Sequence, residues 1–229
     1  MVRHHKRLTK QEIKEDEVAE FFLGAINYLR EHSKRIIGVA IVVVIGLLIV
    51  NVAMRERRAA ELDAQAWVAR ANLDMKRGNA ASALQGYVSI MDRFPGTWGH
   101  SDATFFAANV QFAMSRYDSS MALFQKYLNL KKRRPEFTIS SELGVAQCLE
   151  QIQMYGEAAD TYLKVQREHS DSPLAPEALF GAARCYELMD DFASAERTYN
   201  ELMEVYPESS QASMAKMPLL EIQAKLENT

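Results

Sequence analysis

The chain is predicted to be all-α: an N-terminal amphipathic helix, one helix able to cross a bilayer, then a solenoid of about four helix pairs closed by a capping helix. Three observations predict this. Ile36 to Met54 is nineteen residues without a charged side chain. After it, small and aromatic residues recur in one register with spacings of 37, 38 and 37. Only 10 Gly and 6 Pro occur in 229 residues otherwise rich in Ala, Glu, Leu, Met and Lys, a makeup that favours helix.

Residues 1–35 carry eight Lys/Arg against six Asp/Glu. Thr9 and Glu12 have capping-box spacing, so a helix is expected to start there. Ile13, Val18, Phe21, Phe22, Ala25, Ile26 and Leu29 then recur near the 3.6 period with charges on the other face. Such a stripe needs a partner. Phe21, Phe22 and Ile26 are assigned to the cytoplasmic headgroup layer, or to a neighbouring membrane protein, with simple continuation into the next helix as the alternative. His4 and His5 stand in a polybasic end without further ligands and are not read as a metal site.

Thirteen of the nineteen residues from Ile36 to Met54 are Ile, Val or Leu. Insertion scales give about −4 to −8 kcal/mol for such a segment, and as a helix it spans about 28 Å, close to a bilayer's hydrocarbon thickness. The apolar run begins too late for a secretory signal, has no A-x-A-like cleavage site, and is followed by Arg55, Arg57 and Arg58. It is read as an uncleaved single-pass anchor. The flanking charges nearly balance, so orientation rests on the short basic tail, which favours the cytoplasm. The remainder is then extracytoplasmic, on the outer side of a bacterial inner membrane. No G-x-x-x-G lies in the span, so dimerisation there is not signalled.

Residues 55–229 carry nineteen basic against twenty-four acidic groups, which does not suit a nucleic-acid-binding surface. Three series organise them: Ala71, Ala108, Ala146, Ala183; then Ala83, Ser120, Ala158, Ala195; then Tyr87, Phe124, Tyr162, Tyr199. Small side chains in both helices of a pair let the backbones approach, and the ring fills the space between one pair and the next. Pro95 and Pro207 end their helices. Gly78 marks the turn within the first pair, and Ser115, Gln153 and Asp190 stand at the corresponding places. The repeats are expected at about 64–97, 101–134, 139–172 and 176–209, with a cap over 210–226. Cys148 and Cys185 fall at equivalent places on neighbouring first helices, too far apart for a disulfide, and are expected to be reduced core residues.

These residues resemble the tetratricopeptide repeat. Trp67, Ala71, Gly78, Ala83, Tyr87 and Pro95 carry the likeness in the first unit, and Ala183, Phe192, Ala195, Tyr199 and Pro207 in the last. The period exceeds the family's 34, and the second unit departs most, with Ser120 for alanine. The resemblance implies a concave groove lined by the first helices: Val68, Asn72, Met75, Phe105, Asn109, Phe112, Leu143, Gln147, Phe180, Arg184 and Glu187. Such a mixture of apolar groups and amides suits a peptide in extended or helical form. The basic carboxylate clamp of some family members is not expected, because Val68, Ser140 and Gly144 stand at several of its places. Lys131, Lys132, Arg133 and Arg134 are expected to form a solvated link.

No catalytic, phosphate-binding or metal motif occurs, and no enzyme activity, metal or cofactor is expected. The partners implied are other proteins, as a peptide segment or a membrane complex, together with membrane lipids. The layout is similar to that of YfgM-like ancillary subunits of the SecYEG translocon, and the links resemble those of BamD-like outer-membrane assembly lipoproteins. These likenesses imply a scaffold assisting secretion or envelope protein biogenesis. A structural subunit of an envelope-spanning machine and a cytosol-facing import-receptor-like protein remain open alternatives.

Overall fold

The structure, a computed structural model, describes Leu23, Tyr28, Arg30 and residues 32–227. The helix expected from Thr9, the histidines His4 and His5, and the membrane-surface residues Phe21, Phe22 and Ile26 lie outside the described residues. By compactness the chain divides into two units, 1–58 and 59–229.

The first unit holds most of a long helix, α1 (Ser33–Lys76). Its apolar stretch has no core of its own. From Ile37 to Met54 every side chain is exposed, with Ile41 at 54 % and Leu47 at 64 %. A helix that is apolar all round belongs in a core or in a membrane.

The second unit is all-α among the described residues. It begins within α1 and continues through α2 (Ala80–Arg93), α3 (Trp98–Ala113), α4 (Tyr117–Leu128), α5 (Pro135–Gln151), α6 (Tyr155–Glu168), α7 (Ala175–Leu188), α8 (Phe192–Val205) and α9 (Ser210–Glu227). The end of α1 meets α2 through Val68, Ala71, Ala83 and Tyr87. From α2 on each helix packs on the next, and first helices also touch the first helix of the following pair from α3 onward. The core is therefore a row of four clusters rather than one centre.

The residues of the three series build that row. Ala108, Ala146, Ala183, Ala83, Ser120, Ala158 and Ala195 are fully buried, and Ala71 nearly so. Ser120 is accommodated because its hydroxyl donates to the Ala108 carbonyl at 2.8 Å, giving the polar group a partner inside the pair. Tyr87, Phe124, Tyr162 and Tyr199 are at most 2 % exposed. Two of the rings lie flat against glycine on the next first helix: a methyl group at Gly144 would sit 2.5 Å from Phe124, and one at Gly181 would sit 2.7 Å from Tyr162. Cys148 and Cys185 are free and buried, and burial pushes both thiols up, Cys185 to about 12.

The turn within each pair is the same device four times. Gly78, Ser115, Gln153 and Asp190 all have positive φ, at 80°, 58°, 65° and 58°. The amide after each donates five residues back: Asn79 to Asp74, Arg116 to Gln111, Met154 to Leu149 and Asp191 to Tyr186. That 6→1 bond is the Schellman cap, whose left-handed residue is best as glycine. Three of four pairs therefore carry a side chain in a conformation that costs about 1–2 kcal/mol, less for Asp. Part of any gain from glycine is lost to the freer unfolded chain. Gln153→Gly and Ser115→Gly are each expected to stabilise by about 0.5–1 kcal/mol, and Asp190→Gly by less, read from urea midpoints with unchanged slope.

Helix ends agree with the prolines: α2 and α8 stop at Arg93 and Val205, two residues before Pro95 and Pro207. The basic link differs from expectation. Lys131 and Arg133 are exposed, but Lys132 and Arg134 fold back over the Trp98 ring, at 5.8 and 5.4 Å from its centre. Arg134 grips Asp102 through two bonds of 2.7 and 2.9 Å, and Lys132 lies 3.2 Å from Glu61. This half of the run is a fastening between pairs because Asp102, a nearly buried carboxylate, requires a charged partner.

Candidate functional site

The first helices bury one face against the second helices of their pairs and leave the adjoining face, where the groove is expected, partly accessible. Where that division falls decides which predicted residues a ligand can reach. Val68, Phe105 and Leu143 are 7 %, 9 % and 3 % exposed and belong to the core. Phe105 stacks on Phe137 of the next first helix with ring centres 4.3 Å apart. These three are corrected from groove to core: an apolar side chain at this position gains more by meeting the rings of its own and the following pair than by facing water.

The other predicted residues keep accessible surface and gather in two places. Asn72, Met75 and Asn109, joined by Lys76, Tyr87, Phe106 and Val110, line a hollow of about 350 Å³ between the first two pairs. The Tyr87 hydroxyl donates to the Asn72 side chain. Burial pushes the Tyr87 hydroxyl up to about 12, with Asp74 adding to the effect, so it stays a neutral donor. Asn109 is exposed and donates to the Phe105 carbonyl at 2.9 Å. Phe112 stands edge-on to Tyr117 at 5.3 Å and closes the inner turn of its own pair.

The second gathering is at the last two pairs. Gln147 donates to Glu177 at 3.0 Å. Arg184, lying over the Phe180 ring, gives two bonds of 2.7 Å to Glu150, and the Tyr162 hydroxyl donates to the same carboxylate at 2.9 Å. Glu150 is buried, and its charge-assisted bonds hold the Arg184 guanidinium above its ordinary range. Glu187 accepts from Tyr199 at 3.3 Å. The one basic group predicted for the groove is thus already neutralised, while Glu177 and Glu187 keep this end acidic.

Glu150 and Phe106 were not among the predicted residues. Glu150 had a signal: it follows Ala146 by four, as Met75, Phe112 and Glu187 follow Ala71, Ala108 and Ala183. Phe106 had none, because two adjacent phenylalanines leave open which one faces the groove.

Elsewhere, Glu142, Glu168 and His169 bring their side-chain ligand atoms within 4.8 Å of one another. His169 Nε2 is 2.7 Å from Glu142, which ties the link after α6 to α5. Lys164 lies 3.9 Å from Glu168, and Arg133 lines the same hollow, so positive charge already faces the cluster.

An α-solenoid of helix pairs with a lined inner face is in general a scaffold for protein interaction rather than an enzyme. Within it, residues 177–209 match the family model described as tetratricopeptide repeat. Solved structures agree on the fold. A tetratricopeptide repeat protein from Parabacteroides merdae ATCC 43184 is 15 % identical, with 72 % of this chain and 61 % of that one covered and a TM-score of 0.59. The apo form of RapI is 17 % identical over 72 % and 65 %, at 0.63. MamA from residue 41 onward, from Desulfovibrio magneticus RS-1, is 11 % identical over 72 % and 96 %, at 0.54. This chain thus spans under two thirds of the first two. No curated protein matches the sequence.

Proposed function

We propose that this protein is a membrane-anchored tetratricopeptide-type scaffold. Its N-terminus is cytoplasmic, and its repeat domain stands on the outer side of a bacterial inner membrane. There it takes segments of other proteins during secretion or envelope biogenesis, with membrane lipids and a membrane complex such as the translocon as neighbours. The observation that carries the reading is the apolar stretch Ile37 to Met54, exposed on every side. It lies in the one candidate span among the described residues, and the late start of the apolar run and the Arg55, Arg57 and Arg58 that follow it support an uncleaved anchor. The groove supplies the rest: a hollow of apolar groups with two amides and Lys76 at the first two pairs, and carboxylates at the last two. A segment with an apolar residue followed by basic ones fits that order.

The test uses the full chain with Cys148→Ala, Cys185→Ala and a single new cysteine at Glu227. In intact spheroplasts a membrane-impermeant maleimide is expected to label it, and protection until lysis would overturn the topology. In the same cells a photo-crosslinking residue at Asn109 is expected to capture polypeptides more strongly than one at Lys164 on α6. Equal capture at both would overturn the groove reading.

A further inference from the structure

The capping helix α9 continues the repeat register as the first helix of a fifth pair. Its buried residues Ala212, Ala215, Leu219 and Ile222 stand 37 positions after Ala175, Ala178, Ala182 and Cys185, which are buried in α7. It packs on α8 and α7 as α7 packs on α6 and α5. The network around Glu150 therefore has a counterpart one repeat later. Glu187 stands where Glu150 stands, and the Tyr199 hydroxyl donates to it at 3.3 Å as the Tyr162 hydroxyl donates to Glu150. The third member is replaced: Arg184, which gives Glu150 two bonds of 2.7 Å, has Glu221 as its equivalent on α9. The Phe180 ring under Arg184 has Met217 as its equivalent, 64 % exposed. Glu150 is buried, whereas Glu187 keeps accessible surface and Glu221 is exposed, and neither of these two makes an ion pair among the described residues. Lys225, one turn further along α9, lies over the Phe192 ring at 4.6 Å.

We propose that Glu187, Tyr199 and Glu221 form a subsite for an arginine side chain of the bound segment, whose guanidinium takes on Glu187 the position that Arg184 takes on Glu150. The inference rests on the reading of the first-helix face as the binding face, and it names the residue recognised at the last pair. The preceding pair shows which chemistry such an arrangement holds. There, Nε and Nη2 of one guanidinium meet the two oxygens of a carboxylate that a tyrosine hydroxyl already orients. A planar fork makes both bonds at once and an ammonium does not, so arginine is favoured over lysine. Glu221 puts a second negative charge where the repeat before has a positive one, so a cation from the partner meets two carboxylates. Met217 offers the guanidinium the contact that the Phe180 ring gives Arg184. The subsite is partly open to water, so a lone arginine is expected to bind with a dissociation constant on the order of 1–10 mM.

The experiment follows the Met217 methyl signal by NMR in the full chain in detergent, assigned through Met217→Leu, while N-acetyl-arginine amide or N-acetyl-lysine amide is added. The expected result is a saturable shift with the arginine compound and binding of the lysine compound about threefold weaker or more. Glu187→Gln should weaken arginine binding about fivefold or more. Glu221→Arg builds the guanidinium into the chain and should abolish the response, with circular dichroism and urea midpoints showing that both variants stay folded. Absence of a saturable shift overturns the proposal. So does an equal response to the two compounds, or arginine binding indifferent to Glu187→Gln or to Glu221→Arg, each of which reduces the site to general charge attraction. The Asn109 and Lys164 crosslinks test the groove reading without arginine, so failure of the subsite and failure of that reading are told apart.

Discussion

Replacing Arg184 by methionine is expected to destabilise the repeat domain by about 3–5 kcal/mol, because it strands a buried carboxylate. Glu150 is 8 % exposed, and two of its three hydrogen bonds come from that guanidinium. Tyr162 alone then faces a charge that water cannot reach. Glu150→Leu leaves the guanidinium instead, and Arg184 keeps 41 % of its side-chain surface in solvent, so the loss should be smaller. Removing both charges together is expected to recover most of the deficit, apart from the Tyr162 hydroxyl left without its acceptor, at about 1–3 kcal/mol. Urea unfolding of the four proteins in the cycle measures this. If the double variant were as unstable as the sum of the singles, the pair would not be the unit proposed, and Glu150 would owe its place to packing alone.

The network also bears on how much of the molecule could be read from residues. Helix pairing was legible because backbone approach tolerates few side chains, so Ala71 to Ala183 and Ala83 to Ala195 had to be small and the register showed through. The turns were legible in position, since Gly78 marked the first and the period marked the others. Their left-handed backbone was not, because Ser115, Gln153 and Asp190 give no glycine signal. Which first-helix residues keep accessible surface was legible only in part. Val68, Phe105 and Leu143 lie on the border between core and inner face, and an apolar residue satisfies either side. Glu150 and Arg134 were missed for the opposite reason. A charge is ordinarily on the surface, and what holds these two in the fold is a partner 34 residues ahead for one and 32 residues behind for the other.

Gly181→Ala and Gly144→Ala are each expected to cost about 1–3 kcal/mol, although both sit inside helices where alanine is intrinsically favoured by about 1 kcal/mol. The sign is decided by what the new methyl group meets. At Gly181 the three nearest atoms all belong to the Tyr162 ring, at 2.7 to 2.8 Å, and at Gly144 they belong to Phe124, at 2.5 to 2.8 Å. Neither ring has room to withdraw. Tyr162 is 1 % exposed and held by Glu150 through its hydroxyl; Phe124 is 2 % exposed among Phe105, Cys148 and Tyr127. The second helix of one pair must therefore move away from the first helix of the next, which loosens the joint between repeats. Gly86 offers a comparison within one pair, where an added methyl meets only the Ala71 methyl at 3.1 Å and the loss should be smaller. Phe124→Leu in the Gly144→Ala background makes room for the methyl, so it should cost less there than in the parent protein. Urea midpoints for the four proteins read that coupling. Strict additivity would mean that the ring is not what excludes the side chain.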